Sequence, residues 1–190
     1  MKVGSYMEKI WEKKDSKVIY QRGIVSFKEE LCYHNKKKIS YPFFKMEFMD
    51  WVNVVPITAK NEVVFVKQYR FGIDDITLEV PAGTLDVGEN NPEVAAKREL
   101  LEETGYASQN MIYLGKVAVN PAIQNNYCHF YLAEGASLVG EQDLDLTEDI
   151  EIKLIKLADI DELISSGSIN HSLAVLALLH AKDYLKNKND

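Results

Sequence analysis

An acidic cluster occupies the stretch RELLEETG, residues 98–105, in a pattern typical of a helix. With about 100° of rotation per residue, Glu99, Glu102 and Glu103 fall within an arc of about 100°. Like charges three or four positions apart on a helix repel by roughly 0.2–0.5 kcal/mol per pair. Mg²⁺ prefers clustered carboxylates with water completing its shell, and it would turn this repulsion into attraction. The alternative is a solvated acidic face.

The helix that carries the cluster is predicted to span residues 92–104. Asn91 is a good N-cap, and Pro92 fits the first helical position. Gly105 supplies the left-handed residue that ends the helix. We expect the apolar stripes, among them Val94 with Leu101, to pack on a sheet while the acids face outward.

The surrounding stretch 81–106, PAGTLDVGENNPEVAAKRELLEETGY, resembles the Nudix box, G-x5-E-x7-R-E-U-x-E-E-x-G-U, where U is aliphatic or bulky and apolar. The matched positions are Gly83, Glu89, Arg98, Glu99, Leu100, Glu102, Glu103, Gly105 and Tyr106. Eight residues, instead of seven, separate Glu89 from Arg98, and the extra one is Asn90 or Asn91 in the loop before the helix. The resemblance implies that Glu89 pairs with Arg98 and props this loop against the helix.

The same resemblance implies a metal-dependent hydrolysis of a diphosphate. Glu99 and Glu103 would bind Mg²⁺, for which Mn²⁺ can substitute, and the carbonyl of Ala82 would add another oxygen. Glu102 would either join these ligands or orient Arg98 and the attacking water. Such cations neutralise a diphosphate and activate water for attack on phosphorus.

Residues before the box resemble the ADP-ribose and nucleoside-diphosphate-sugar branch of this family, because VFVKQYRFG precedes LEVPAG. The resemblance implies that Arg70 binds the substrate's phosphates through a forked, charge-assisted contact. It also implies an acid near the metals at Glu79, for which an outward position on the strand TLEV is the alternative. Pro121 lies fifteen residues past Tyr106, at a position where the ADP-ribose group tends to have proline. In this sequence it stands in the stretch NPAIQNN, whereas that group usually has glycine after the proline. Other nucleotide sugars therefore stay as alternative substrates.

The catalytic base in this branch usually comes from a later acidic loop, and QDLDLTEDIEIKLIKL has that place and character. We favour Glu148 as the base and place Glu151 second, and a third alternative leaves the role to Glu102 on the helix. A carboxylate on a mobile loop can approach the attacking water only after substrate has bound. A solvated acidic turn is the alternative.

The hydrophobic pattern predicts an α/β (α+β) fold with a mixed sheet and helices on both sides. Loose alternation in residues 17–48 predicts a small N-terminal antiparallel β meander. The later strands are predicted at WVNVVPIT, NEVVFVKQYRF, TLEV and near residues 111–119, 126–133 and 150–156, followed by helices at ADIDELISS and SLAVLALLHAKDYL. The resemblance identifies the fold as a Nudix α/β/α sandwich. It divides the chain into an N-terminal β subdomain, 1–48, which would form a homodimer, and a Nudix hydrolase domain, 49–190.

Composition restricts the partners of the chain. The net charge of -7 argues against nucleic acid, including RNA ends, and no apolar run approaches the ~18 residues of a membrane span. The first fifteen residues are charged throughout, so no signal peptide is expected. Cys32 and Cys128 lie far apart and indicate neither a zinc site nor a disulfide, which favours the cytoplasm. A phosphate loop of the Walker type is excluded because Glu-Asn follows Gly88.

Two classes of function remain. The first is a Mg²⁺-dependent pyrophosphatase acting on ADP-ribose or a related nucleoside diphosphate sugar, giving a nucleoside monophosphate and a sugar phosphate. The second is a non-catalytic, nucleotide-sugar-binding regulatory Nudix module. Intact glutamates at positions 99, 102 and 103 argue for the enzyme.

Overall fold

A computed structural model describes residues 10–189 of the chain. The strands are β1 (Trp11–Arg22), β2 (Val25–His34), β3 (Ile39–Glu47), β4 (Trp51–Thr58), β5 (Glu62–Arg70), β6 (Asp75–Glu79), β7 (Ala82–Thr84), β8 (Tyr106–Ala107), β9 (Asn110–Ala118), β10 (Tyr127–Leu138) and β11 (Ile150–Lys156). The helices are α1 (Pro92–Thr104), α2 (Ile160–Ser165) and α3 (Ser172–Asn189). Within residues 10–189, no helix is both long and apolar enough to cross a membrane.

The described chain divides into two compact units, of which the first contains the residues up to Met49 together with Asn120–Asn126. Its three strands form an antiparallel sheet in the order β1-β2-β3, as the N-terminal alternation predicts. The sheet begins at Trp11 instead of residue 17. The later segment joins it through backbone hydrogen bonds, with the Met46 amide donating to the carbonyl of Ile123 at 2.8 Å. A domain boundary at residue 48 stays a prediction.

The second unit, Asp50–Val119 with Tyr127–Asp190, contains an eight-stranded sheet. Its main path runs β11-β5-β4-β10-β8, with β6 paired to β5, β7 to β4 and β9 to β10. The pair β4–β10 is parallel and the other pairs are antiparallel, so the predicted mixed sheet is confirmed. The short strands β7 and β8 were not predicted, because two or three residues carry no alternation.

Helices cover both faces of this sheet, which confirms the predicted sandwich. On one face the core combines α2 and α3 with the sheet, and its largest buried side chains include Phe65, Phe130, Leu132, Ile160 and Leu178. On the other face α1 packs on β4 and β10, through Ala95, Ala96 and Leu100 against Val52 and Val54. Burial of these apolar side chains fixes α1 beside β7.

The orientation of α1 differs from the prediction. Val94 and Leu101, expected to pack on the sheet, are 51% and 43% exposed, whereas Ala95 is fully buried. Small side chains allow a helix to approach a sheet closely, and Glu99 and Glu103 turn inward on the same side as Ala95. The prediction is therefore wrong for the stripe of Val94 and Leu101, whereas the second predicted stripe, Ala96 with Leu100, is buried on the sheet. The acidic side turns inward because the Ala82 amide on β7 gives Glu103 a polar partner there.

The end of α1 agrees with the prediction. Gly105 has the left-handed φ of 69°, and its amide donates to the carbonyl of Leu101 at 2.7 Å. A Cβ at this position would lie 2.3 Å from the carbonyl oxygen of Gly140. Position 105 therefore requires glycine for its backbone angle and for the close approach.

Replacing Gly105 by alanine tests both requirements against a matched control. Gly167 has a similar φ of 77°, but a Cβ there would meet no atom of the described chain within 4 Å. We expect Gly167→Ala to lower the free energy of unfolding by about 1–2 kcal/mol, the usual cost of the left-handed conformation. Gly105→Ala should cost more, because Gly140 must also move. Urea denaturation of both variants measures the difference, and equal losses would contradict the close approach.

Candidate active site

An acidic cleft of about 580 Å³ lies between α1, β7 and the loop 139–149. Its lining residues are Gln68, Arg70, Ala82, Gly83, Thr84, Asp86, Arg98, Glu99, Glu102, Glu103, Asp143, Leu144, Asp145 and Glu148. Seven of these are acidic and two are arginines, so the cleft carries negative charge and attracts cations. It brings together six of the residues predicted for catalysis, metal binding or substrate binding.

Glu99 and Glu103 are held against the backbone of β7. Glu103 is 3% exposed, and its Oε2 accepts a hydrogen bond from the amide of Ala82 at 2.9 Å. Glu99 lies so close to Gly83 that a Cβ there would be 2.0 Å from the Glu99 carboxyl carbon. Burial raises the pKa of Glu99 to about 7, and the carboxylates of Glu102 and Glu148 add to this rise. Burial likewise raises the pKa of Glu103 to about 8, with further contributions from Glu99 and Glu148.

Arg98 partly compensates this negative charge. Its Nη1 donates to Glu99 at 2.9 Å and to Glu102 at 3.0 Å, and its Nη2 donates to the carbonyl of Thr84 at 3.0 Å. Burial opposes the charged form of Arg98, but the neighbouring glutamates raise its pKa above the usual value. Arg98 therefore links the acidic face of α1 to the end of β7.

The loop with the extra residue still brings Glu89 to Arg98. Glu89 Oε2 lies 3.6 Å from Arg98 Nη2, which is an ion pair beyond hydrogen-bonding distance. The same oxygen accepts a hydrogen bond from the amide of Asp86 at 3.0 Å. Glu89 thus braces the loop internally as well as pairing with the helix.

The cleft matches a hard divalent cation by the chemistry of its donors. Among residues 10–189, no three His, Cys, Asp or Glu side chains stand at the spacing of a closed metal site. Glu99 and Glu102 are turned to Arg98, and Glu103 is turned to the Ala82 amide. Carboxylate oxygens are nevertheless the ligands that Mg²⁺ prefers, and a bound cation would oppose the burial and the neighbouring carboxylates that raise the pKa values of Glu99 and Glu103.

The half-exposed Arg70 forms an ion pair with the buried Glu79 at the side of the cleft. Arg70 Nε and Nη2 donate to the two carboxylate oxygens of Glu79 at 2.7 and 2.6 Å, and Thr77 Oγ1 also donates to this carboxylate. Glu79 is 0% exposed, so the outward alternative for it is wrong. Two of the three guanidinium nitrogens of Arg70 therefore bind Glu79, although Arg70 still lines the cleft.

Of the two candidate bases, the structure brings only Glu148 to the cleft. Glu148 is half-buried there, and its Oε2 accepts a hydrogen bond from the amide of Asp145 at 3.0 Å. Glu151 is exposed on β11, bonds Lys153 and is not one of the described residues that line the cleft. A base role for Glu151 does not agree with this position.

Pro121 is exposed in the first unit, and its role in substrate binding stays a prediction.

Gln142, a residue without any motif in the sequence, anchors the acidic loop. Its Nε2 donates to the carbonyl of Glu103 at 2.7 Å and to the carbonyl of Ile150 at 3.3 Å. The amide of Asp143 also donates to the carbonyl of Glu102 at 2.9 Å. These bonds attach the loop that carries Glu148 to the last turn of α1. An isolated glutamine in an acidic stretch offers no motif from which this role could be found.

Comparison with known proteins supports the family assignment. The family model described as NUDIX domain matches residues 48–175. The chain is similar to a methanol dehydrogenase activator of Bacillus methanolicus, with 39% identity over 142 residues, or 72% of this chain and 75% of the relative. It is also similar to an ADP-ribose pyrophosphatase of Bacillus subtilis (strain 168), with 32% identity over 128 residues, or 67% of this chain and 69% of the relative.

A solved structure supports the fold. The crystal structure of an ADP compounds hydrolase superposes with a TM-score of 0.84 and covers 97% of this chain and 98% of that one. The two sequences are 20% identical, so the likeness concerns the architecture.

Replacing Glu79 by glutamine tests the buried pair. Burial alone would raise the pKa of Glu79, but Arg70 holds it below the ordinary value of 4.5. The pair therefore stabilises the fold above pH 4.5, and this contribution is lost as the pH falls through the folded-state pKa. We expect Glu79→Gln to lower the free energy of unfolding at pH 7 by about 1–3 kcal/mol, because Arg70 loses its partner.

Urea denaturation of wild type and Glu79→Gln between pH 7 and pH 3 measures this effect. The difference between the two proteins should shrink below pH 4.5. Glu151→Gln, which alters an exposed carboxylate paired with Lys153, is the control and should change stability much less than Glu79→Gln at each pH. A difference between wild type and Glu79→Gln that is constant with pH would contradict a depressed pKa at Glu79.

Proposed function

This chain belongs to the NUDIX domain family and is a Nudix hydrolase, and we propose that it cleaves the diphosphate bond of ADP-ribose or a related nucleoside diphosphate sugar. The products would be a nucleoside monophosphate and a sugar phosphate, and the reaction would require Mg²⁺. The observation that carries the proposal is the cleft in which Glu99, Glu102, Glu103 and Glu148 converge. The names of the Bacillus subtilis pyrophosphatase and of the ADP compounds hydrolase support the substrate class.

A regulatory module is the second candidate, because the Bacillus methanolicus relative is named as an activator. The acidic cleft favours hydrolysis, since a binding module would not require buried carboxylates at a cost in electrostatic energy. Incubation of the purified protein with ADP-ribose, ADP-glucose, GDP-mannose, UDP-glucose and nucleoside triphosphates, with products resolved by chromatography, separates the two. Absence of hydrolysis of all of them in the presence of Mg²⁺ would favour the regulatory module.

In the proposed mechanism, Glu99, Glu103 and the carbonyl of Ala82 hold Mg²⁺, and Glu102 either joins them or orients Arg98. When bound, the metal neutralises the diphosphate and makes water more acidic. Arg98 would fix the orientation of Glu99 and Glu102 through its hydrogen bonds. Mn²⁺, another hard cation with oxygen ligands, would substitute.

Glu148 would act as the general base. Its carboxylate takes the proton as the water oxygen forms a bond to phosphorus, and the bridging P–O bond breaks with its electron pair passing to the leaving phosphate. Glu148 lies on the loop that Gln142 attaches to α1, so the base and the acids of α1 belong to one hydrogen-bonded assembly. Water supplies the nucleophile and the Glu148 carboxylate would accept its proton, so the hydrolysis requires no other reactant.

Arg70 would provide positive charge to the substrate's phosphates. Because Glu79 binds two of its nitrogens, the contact with phosphate would use the remaining nitrogen instead of the fork predicted from the sequence. Glu79 would then act as a positioning residue that holds Arg70 beside the cleft. This arrangement lowers the cost of ordering a long arginine side chain when substrate binds.

We also propose that the protein is a homodimer in the cytoplasm. The sheet of the first unit exposes large apolar side chains, among them Tyr20, Tyr41, Phe43 and Phe44 at 41–59% exposure. Large apolar side chains exposed in this number are typical of a protein interface, and a second copy would bury those on the face that it covers. Sedimentation at micromolar concentration should give twice the 21.6 kDa of one chain, and a mass of one chain would contradict the dimer.

Replacing Glu103 by glutamine tests the metal assignment. We expect hydrolysis of ADP-ribose at saturating Mg²⁺ to fall by more than about 100-fold, since groups that only support metal ligands already cost 10–100-fold. The melting temperature should stay equal or rise, because burial disfavours the Glu103 carboxylate and a neutral amide avoids that cost. Glu93→Gln, on the exposed side of the same helix, is the control and should retain wild-type rates. Near-normal turnover of Glu103→Gln would remove Glu103 from the metal site.

Replacing Glu148 by glutamine tests the base. We expect the turnover rate to fall by about 10²–10⁴-fold, the usual range for loss of a general base, with a much smaller change in substrate affinity. Glu151→Gln should behave as wild type. Single-turnover rates at fixed Mg²⁺ for these two variants and Glu102→Gln distinguish the candidates. A Glu148→Gln rate within about threefold of wild type would move the role to another acid.

A further inference from the structure

The loop that carries Glu148 also completes the end of α1. The last four carbonyl groups of a helix have no partner within it, and on α1 these include the carbonyls of Glu102 and Glu103. The amide of Asp143 donates to the first at 2.9 Å, and the side chain of Gln142 donates to the second at 2.7 Å. Two residues whose carboxylates line the cleft therefore hold the loop through their backbone oxygens.

Gln142 connects the end of α1 to the start of β11. Its Nε2 also donates to the carbonyl of Ile150 at 3.3 Å, and Ile150 is buried at the first position of β11. Glu148 lies two residues before that position. Gln142 is not one of the described residues that line the acidic cleft, so its effect on the reaction would pass through the residues that it holds.

A tight turn fixes Glu148 within the loop. The Glu148 amide donates to the carbonyl of Asp145 at 2.9 Å, and the Glu148 carboxylate accepts a hydrogen bond from the Asp145 amide at 3.0 Å. Leu146 and Thr147, between these two residues, are exposed. Packing therefore contributes little at the tip of the loop, and the hydrogen bonds at its ends determine where the turn lies relative to α1.

We propose that Gln142 is a positioning residue for the hydrolysis, which sets the place of Glu148 relative to the acids of α1. The assignment rests on the proposed pyrophosphatase function and adds to it a residue that contacts neither substrate nor metal. Loss of the Gln142 amide would remove a donor from the carbonyl of Glu103, which is 3% exposed, and would break the link between the loop and β11. A general base must lie within hydrogen-bonding reach of its proton, so a shift of about 1 Å can lower the rate by about 100-fold.

Gln142→Met tests this role, because it removes both hydrogen bonds and keeps the length of the side chain. We expect kcat for ADP-ribose to fall by about 10–100-fold while KM stays within about twofold. The Mg²⁺ concentration that gives half the maximal rate should stay unchanged, since the Glu103 carboxylate keeps its hydrogen bond from the Ala82 amide. Glu141→Gln, which removes an exposed carboxylate next to Gln142, is the control and should retain the wild-type kcat.

A double-mutant cycle with Glu148→Gln separates positioning of the base from a general structural effect. If Gln142 acts through the base, Gln142→Met should change the single-turnover rate by less than about twofold once position 148 is glutamine. Equal fold losses in both backgrounds would show that Gln142 supports the site as a whole, which overturns the assignment. A raised KM or a raised Mg²⁺ requirement with normal kcat would also overturn it. Gln142→Glu, which places a carboxylate opposite two carbonyl oxygens, decides alone if Gln142→Met fails to fold.

Hydrogen exchange gives a second measurement that needs no turnover. The hydrogen-bonded amides of Asp143, Asp145 and Glu148 should exchange faster in Gln142→Met than in wild type, and at the wild-type rate in Glu141→Gln. Normal exchange and normal kcat in Gln142→Met, beside an active wild type, would reject the positioning role and leave the pyrophosphatase intact. Lack of hydrolysis by wild type across the substrate panel, with faster exchange in Gln142→Met, would reject the pyrophosphatase together with the positioning role and keep only the attachment of the loop. The two failures are therefore distinguishable.

Discussion

The close approach between α1 and β7 is the constraint on which the acidic cleft depends. Ala95 and Ala96 bring the helix close to the sheet, and at Gly83 the space that a Cβ would fill is taken by the Glu99 carboxylate. The Glu103 carboxylate is bound to the Ala82 amide on the same strand. The backbone of β7 and the packing of α1 thus hold both carboxylates in place, and Arg98 adds a side-chain hydrogen bond to Glu99.

The two arginines of the cleft differ in how far each compensates the charge of the carboxylates that it binds. Arg70 binds Glu79 with two nitrogens, and the pKa of that carboxyl is lowered although it is fully buried. Arg98 is shared between Glu99 and Glu102, and the pKa of Glu99 stays raised. One carboxylate is therefore fully compensated within the protein and the acidic cluster is not. The uncompensated charge is what makes the cluster suitable for a cation, and the compensated pair gives the cleft a rigid side.

Structural features that depend on residues close together in the sequence were predicted correctly. The N-cap at Asn91 and the left-handed end at Gly105 are both present, because capping depends on residues within one turn. Alternation over five or more residues also located the long strands of both sheets. The acidic arc on α1 led directly to Glu99, Glu102 and Glu103, because spacing on a helix determines which side chains are neighbours.

Contacts between distant segments could not be predicted in this way. The burial of Glu79 depends on Arg70 across the β5–β6 pair, and the position of Gln142 depends on carbonyl groups of Glu103 and Ile150. The inward rotation of α1 depends on the Ala82 amide, which belongs to a strand of three residues. In each case the partner is a backbone group or a side chain that comes close only when the chain folds.

The two hydrogen bonds of Gln142 have a consequence for how such a protein can diverge. They join the start of the loop to its end at Ile150 and to α1, so the residues between them form a closed segment with fixed ends. Lengthening a surface loop costs little free energy when its ends are already held together. The interior of this segment can therefore accept insertions and substitutions without displacing α1. A change in the length of this segment would therefore spare the acids of α1 and fall on the position of Glu148, which lies inside it.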